Sequence, residues 1–423
     1  MCNVEETGYP KEIFSSVDRL IFFCGLATLS KDVHWVLRAV YSIYNYTLIA
    51  NCMIFIIFEL IAFRRALEDV PTFLSQIAMM FTHVICMVKL WMLIYRKEQV
   101  AKIKAKLQNK HFEYVSIDDF QPGKKMHKET LFIKFVSMFI FAVYVIVGIL
   151  GHFTAAIMVN KNSSSGTFSG NVSCQSFIPY NFYYPFNTST PRKCHYALIY
   201  MDINLDICAF YIALLDMIFV LFLHVLAIQL NILSKAFITI RKRCLRKMKM
   251  DLNIRLFRDA DHKEFEQEMY SELVHCTKHL CLLIGVRQDI ESLFSFITLF
   301  QVTASLLISA SCLFAAATVP VSSPNFFSQL QYFSAILSQI FIYCWFGNKI
   351  THASSELPTA IYKSDWLGCS RRFKQAMLMS MKRMERPLYV SIGKFTPLSL
   401  STLLAVLRGS FSYFTLFQRA GQI

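Results

Sequence analysis

ALIYMDINLDICAFYIALLDMIFVLFLHVLAIQLNIL, residues 197–233, decides the class of this molecule. Its only charged residues are Asp202, Asp206 and Asp216, and no proline or glycine interrupts it. A helix rises about 1.5 Å per residue and about 20 apolar residues cross a bilayer core, so this run spans a membrane with turns to spare. Six more apolar runs flank it, at 36–63, 70–95, 135–159, 290–319, 326–347 and 397–417. The whole chain fits that reading: of 423 residues, 55% are hydrophobic, 15% aromatic and only 17% charged. Globular chains carry about 25% charged residues. The 39 Phe and 19 Tyr exclude disorder and a fibrous repeat. The expected fold class is therefore an all-α membrane protein of seven transmembrane helices.

The spans differ among themselves. The fourth is longer than a bilayer requires, and so is the fifth if residues 275–289 continue as helix. Both would then project on the side of their shared loop. The seventh is weakest, being rich in Ser and Thr and interrupted by Arg408. The N-terminal MCNVEETGYPKEIFSSVDRL is polar and acidic, unlike the basic start of a signal peptide. The short run 20–29 cannot span and is expected to be an interfacial helix.

Loop charge sets the orientation. Lys and Arg number 33 in one alternate set of non-membrane segments and 6 in the other. The positive-inside rule makes the first set cytoplasmic, with the N-terminus inside and the C-terminus outside. An independent signal agrees. The loop 160–195, external on that count, holds three N-x-[ST] sequons at Asn162, Asn171 and Asn187. It also holds Cys174 and Cys194, which can form an external disulfide or stand as two free thiols. The net charge of +15 lies between apolar runs and favours a membrane surface, with no nucleic acid as partner.

A G-protein-coupled receptor has seven spans but the opposite orientation. That reading would need both the charge and the sequon signals to be wrong. The third span also lacks an acidic-Arg-aromatic triplet, and the seventh lacks Asn-Pro-x-x-Tyr. A transporter is expected to show internal repeats, and none is visible. There is no GxSxG, Walker or GxGxxG motif, so the chain does not read as an enzyme. His275 and His279 share a helical face near Cys276 and Cys281, but without the HExxH glutamate they read as a polar cytoplasmic helix, and no metal or cofactor is expected. Ionisable groups inside spans remain functional candidates: Glu59, Asp202, Asp206, Asp216 and Arg408. Asp206 and Asp216 lie roughly on one helical stripe, which suits either a buried pair or a wet cavity.

The C-terminal third is more specific. It reads YCWFGNKITHASSELPTAIYKSDW at 343–366, then a basic amphipathic stretch at 371–386, then FTPLSLSTLLAVLRGSFSYFTL at 395–416. In order and spacing this resembles the insect odorant receptor family over about the last 80 residues. Span number, loop lengths, inverted topology and PFNTSTP at 185–191 agree with it. The loop between spans four and five is moderate, which resembles an odour-tuning subunit rather than the family's long-looped co-receptor. A gustatory receptor of the same superfamily is the alternative, though its Thr-Tyr-x-x-x-x-x-Gln-Phe element is absent.

The resemblance implies a ligand-gated, non-selective cation channel. It would be a heterotetramer with the olfactory co-receptor, in the plasma membrane of olfactory neuron dendrites, opened by a volatile odorant or pheromone. It divides the chain into a cytoplasmic N-terminal segment (1–35), an odorant-sensing part (36–233), a cytoplasmic loop and anchor helix (234–289), two further spans (290–347), a cytoplasmic anchor (348–396) and a pore-lining helix with an external end (397–423). Carried over by residue, the ligand pocket would be walled by Met79, Met80 and His83, by Tyr144, Gly148 and His152, by Asn204, Cys208 and Tyr211, and by Tyr332, Phe333 and Ile336. Ser412 and Thr415 would face the pore, and Leu416 and Ala420 would form its outer gate. The mixed polar face of that helix, with Ser401, Thr402 and Ser410, suits a water-filled path.

Overall fold

The computed structural model describes residues 9–420 apart from 11, 28, 30–31, 68–69, 118–119, 165–181, 187, 189 and 252–261. The protein is almost wholly helical. In chain order the elements are α1 (Ser15–Phe23), α2 (Trp35–Ala66), α3 (Val70–Tyr95), α4 (Lys97–Leu107), α5 (Pro122–Ser164), α6 (Pro191–Ile238), α7 (Ile240–Lys247), α8 (Lys263–Ala317), α9 (Pro324–Ser355), α10 (Leu357–Tyr362), α11 (Arg371–Met384), a two-stranded hairpin β1 (Ser391–Ile392) and β2 (Thr396–Pro397), and α12 (Leu400–Ala420). Several helices begin at legible signals. Thr190 accepts a hydrogen bond from Lys193 N and is followed by Pro191, and Ser323 accepts from Phe326 N and is followed by Pro324.

All seven expected spans are helices, most of them longer than expected. The run 275–289 does continue into the fifth, giving the 55-residue α8. The third reaches Ser164, further into the expected loop 160–195 than its hydropathy indicates. The short N-terminal helix is displaced, at Ser15–Phe23 instead of 20–29. The last helix starts at Leu400, because Thr396 and Pro397 form the second strand of a hairpin that hydropathy does not reveal.

Composition separates α9 from the rest. Six described helices are long and apolar enough to cross a membrane, and α9 is not among them despite its 32 residues. Its Ser328, Gln329, Gln331, Ser338 and Gln339 dilute the apolar content, and these residues turn toward an internal cavity.

Apolar content alone does not mark the uncovered helices: α5 and α6 are almost equally apolar, yet only α6 is wholly buried. Every residue from 211 to 230 on α6 is buried. A helix that is hydrophobic all round belongs in a core, and α6 is the post around which α3, α5, α8 and α9 pack. By contrast, only 17% of the apolar window of α5 and 11% of that of α12 are buried within the chain. One continuous core runs from the lower half of α6 through α4, α7, α8 and α9 to α10, α11 and the hairpin. Gly393 permits the hairpin turn at φ +58, and the turn docks on α8 through Gly393 N donating to Ser295 O (3.1 Å) and Ser391 N donating to Glu291 Oε1 (3.2 Å).

Candidate functional site

Five helices, α3, α5, α6, α8 and α9, enclose a cavity of about 210 Å³ in the half of the bundle nearest the α8–α9 turn. It lies within a single chain. Its walls are chiefly apolar: Phe139, Ile140, Val143 and Val147 on α5, Met201, Leu205 and Ile212 on α6, and Ile336 on α9. A small-molecule site has this character, an apolar wall with a few placed polar groups.

The polar groups are mostly satisfied. Thr82 and Tyr332 hydrogen-bond each other across α3 and α9. His83, 3% exposed, meets the buried carboxylate of Glu59 at 2.7 Å. His152 pairs with Asp202. Gly148 brings α5 against α6: a Cβ there would stand 2.6 Å from Asp206 Oδ1.

At the inner end lies a buried ion pair. Lys89 Nζ donates to Asp216 Oδ1 at 2.5 Å, and both residues are 2% exposed. Removing two charges from water costs several kcal/mol each unless geometry and hydrogen bonding compensate. Here they do. Tyr343 donates to the same oxygen, while Tyr144 (3.1 Å) and Gln339 donate to Asp216 Oδ2. Four donors fill the acceptor capacity of the carboxylate. Gln301 Nε2 extends the chain to Gln339 Oε1 at 2.9 Å and to Ser305 Oγ at 3.2 Å. Four helices (α3, α5, α6 and α9) thus meet at one carboxylate and α8 joins them through Gln339, so the intramembrane Asp216 is a buried pair at the floor of a cavity.

Of the expected pocket residues, Met79, His83, Tyr144, Gly148, His152, Cys208, Tyr332 and Ile336 line this cavity. Met80, Asn204, Tyr211 and Phe333 are not among the lining residues. Asn204 instead accepts from Asn51 Nδ2 at 2.6 Å, and Tyr211 donates to Cys24 O at 3.2 Å, so both faces of α6 are in use. Phe333 packs against the cluster that joins α3 to α8. The sequence reading missed α8 entirely, with its Gln301, Ser311 and Cys312. It gave Lys89 no role. A lone lysine in an apolar run signals a buried acid opposite.

The remaining expectations fall elsewhere. Ser412 and Leu416 are exposed on α12, and Thr415 donates to Ser412 O at 2.7 Å. Ser410 departs from the expected polar face: it is buried on α8, donating to Leu306 O at 3.3 Å. The side chain of Ala420 lies outside the described residues, as do that of Asn162, near the end of α5, and the whole of Asn171, Cys174 and Asn187. Cys194 is disulfide-bonded. Arg408 is exposed and has no acidic partner among the described residues. His275 and His279 contact His111 O and the Tyr114 hydroxyl, and no group of three metal-ligating side chains occurs among the described residues.

A bundle in which six described helices are long and apolar enough to cross a membrane, packed around a mainly apolar cavity, has the architecture of a multi-pass membrane protein. A sequence model of the 7tm Odorant receptor family matches residues 69–411, so the chain belongs to the odorant receptor family. Relatives include Odorant receptor 2a of Drosophila melanogaster, 28% identical over 163 residues, covering 38% of this chain and 41% of that one. Odorant receptor Or2 of Anopheles gambiae is 26% identical over 155 residues, covering 36% and 40%. The matched part thus spans about two fifths of these relatives' length. The fold is that of the olfactory receptor OR5 of Machilis hrabei in complex with eugenol: TM-score 0.74 at 15% identity, covering 96% of this chain and 97% of that one.

Proposed function

We propose that this chain is the odour-tuning subunit of a ligand-gated, non-selective cation channel, and that its α3–α5–α6–α8–α9 cavity takes a volatile small molecule. The cavity carries the reading: an apolar enclosure within one subunit, large enough for a volatile and floored by a rigid polar network. The relatives' names and the eugenol complex of the Machilis hrabei receptor support the ligand class.

The subunit works with the olfactory co-receptor as a heterotetramer in the plasma membrane of the sensory dendrite. Its N-terminus is cytoplasmic, and Asn162, Asn171 and Asn187 are on the external face. The α12 helix, mostly uncovered by its own chain, contributes Ser412 and Thr415 to the pore and Leu416 and Ala420 to the gate. Ligand opens the channel by binding the open state more tightly than the closed one. Co-expression with the co-receptor and whole-cell recording tests this. Odour-evoked inward current that survives G-protein block supports it; current abolished by that block overturns it.

A further inference from the structure

Gln301 is a buried glutamine whose hydrogen bonding is directional and incomplete. It is 2% exposed and lines the cavity. The direction is set at Asp216. The carboxylate, paired with the Lys89 ammonium, only accepts, so Gln339 must present its Nε2 to it. The other end of the Gln339 amide is therefore its oxygen, which accepts from Gln301 Nε2 at 2.9 Å. The second Gln301 N–H goes to Ser305 Oγ at 3.2 Å. Reversing the Gln301 amide would set two carbonyl oxygens face to face, so the network fixes the assignment. Both donors of Gln301 are thus committed. Its Oε1 is buried and has no partner among the described residues, and Gln301 is the only described cavity-lining residue that holds such an atom.

Other polar groups around the cavity do not offer the same opening. Thr82 and Tyr332 satisfy each other, and Tyr144 and Tyr343 are spent on Asp216. Asp216 already receives four donors and has its charge balanced by Lys89, so it does not ask for a cationic amine. What the floor lacks is one neutral donor. A buried acceptor left unpaired is costly, and a site built to receive a donor rejects the analogue that lacks it.

We propose that Gln301 Oε1 is a ligand-recognising acceptor, and that the cavity prefers volatiles carrying a neutral O–H donor, alcohols or phenols, over the corresponding ethers. This rests on the odorant-binding reading of the cavity and names its ligand class. The methyl ether keeps the carbon skeleton and the oxygen but cannot donate, so the pair isolates the one interaction.

The test is a panel of volatile alcohols and phenols, each with its methyl ether, applied to cells expressing the chain with the co-receptor. Half-maximal concentrations are compared for wild type and Gln301→Met. In wild type, the hydroxyl compounds are expected to be about tenfold more potent than their ethers. In Gln301→Met the hydroxyl compounds are expected to lose their advantage, so that the two members of each pair become equipotent, and the remaining ether responses report that the variant folds and gates. The wild-type comparison stands alone should the variant fail to reach the surface. Equal potency within pairs in wild type would mean that water serves Gln301, and would overturn the proposal. Equal weakening of both members in Gln301→Met would overturn it as well. Those results leave odour-evoked current intact; silence of wild type to the whole panel and to a wider set of volatiles would instead overturn the odorant-binding reading, and the proposal with it.

Discussion

Lys89 and Asp216 carry the largest single electrostatic commitment among the described residues of the bundle. Lys89→Met leaves an uncompensated carboxylate, and Asp216→Asn leaves an uncompensated ammonium. Breaking a buried pair from one side costs about 3–5 kcal/mol. Each single variant should lower the thermal midpoint of the detergent-solubilised receptor, read by size-exclusion fluorescence. The double variant should lose clearly less than the sum, because no lone charge remains. Strictly additive losses would mean that the two groups do not act as a pair. Some of this was legible in the sequence: Asp216 stands out as an acid deep in an apolar run, on the stripe of Asp206. Its partner was not, because Lys89 lies 127 residues away and nothing local links them. Gln301 escaped notice for a related reason. A glutamine in a 55-residue helix has no distinguishing context until α9 brings Gln339 against it.

Among the described glycines, the closest approach is at Gly347, where α9 meets the segment that leads into α12. A Cβ on Gly347 would overlap Leu398 O, a backbone atom that cannot move aside alone. Gly347→Ala should therefore destabilise by about 1–3 kcal/mol through overpacking. At Gly285, inside α8, no atom lies within 4 Å of the place a Cβ would take. Gly285→Ala should be neutral or stabilising by about 0.5–1 kcal/mol through helix propensity. The same thermal assay separates the two, and a loss at Gly285 equal to that at Gly347 would refute the packing argument. Helix positions were mostly readable from hydropathy, since length and apolar content are local. The hairpin at Ser391–Pro397 was not, because two-residue strands have no periodicity and owe their form to docking on α8. Hydropathy also said nothing about which span faces lipid. The run 197–233 and the run 135–159 look alike, yet α6 is buried and α5 is largely uncovered.

At the scale of the whole molecule, α12 packs on α8 and α9 along one side and is otherwise mostly uncovered by its own chain. Ser410 is buried on the α8 side, and Ser412 is exposed. If α12 lines a shared water-filled path, Ser412→Cys should let a charged thiol reagent block the odour-evoked current in the open state. Ser410→Cys should be inert to the same reagent. Modification of both alike, or of Ser410→Cys only, would place the path elsewhere. The charge asymmetry of the loops makes a matching prediction: on unpermeabilised cells a C-terminal tag is stained and an N-terminal tag is not. Staining of the N-terminal tag alone would reverse the orientation.

The central claim is that a cavity inside this one subunit receives the volatile and biases a channel. Gly148 is the position to test it, because α5 meets α6 there at the cavity wall and a larger side chain must displace Asp206, which lines the cavity too. The measurement is the odour dose-response of wild type and Gly148→Leu, co-expressed with the co-receptor, matched for surface level and recorded under G-protein block. We predict that wild-type current persists under the block and that Gly148→Leu raises the half-maximal concentration at least about tenfold, a loss of about 1.4 kcal/mol in binding. Superimposable dose-response curves for the two proteins would contradict the account.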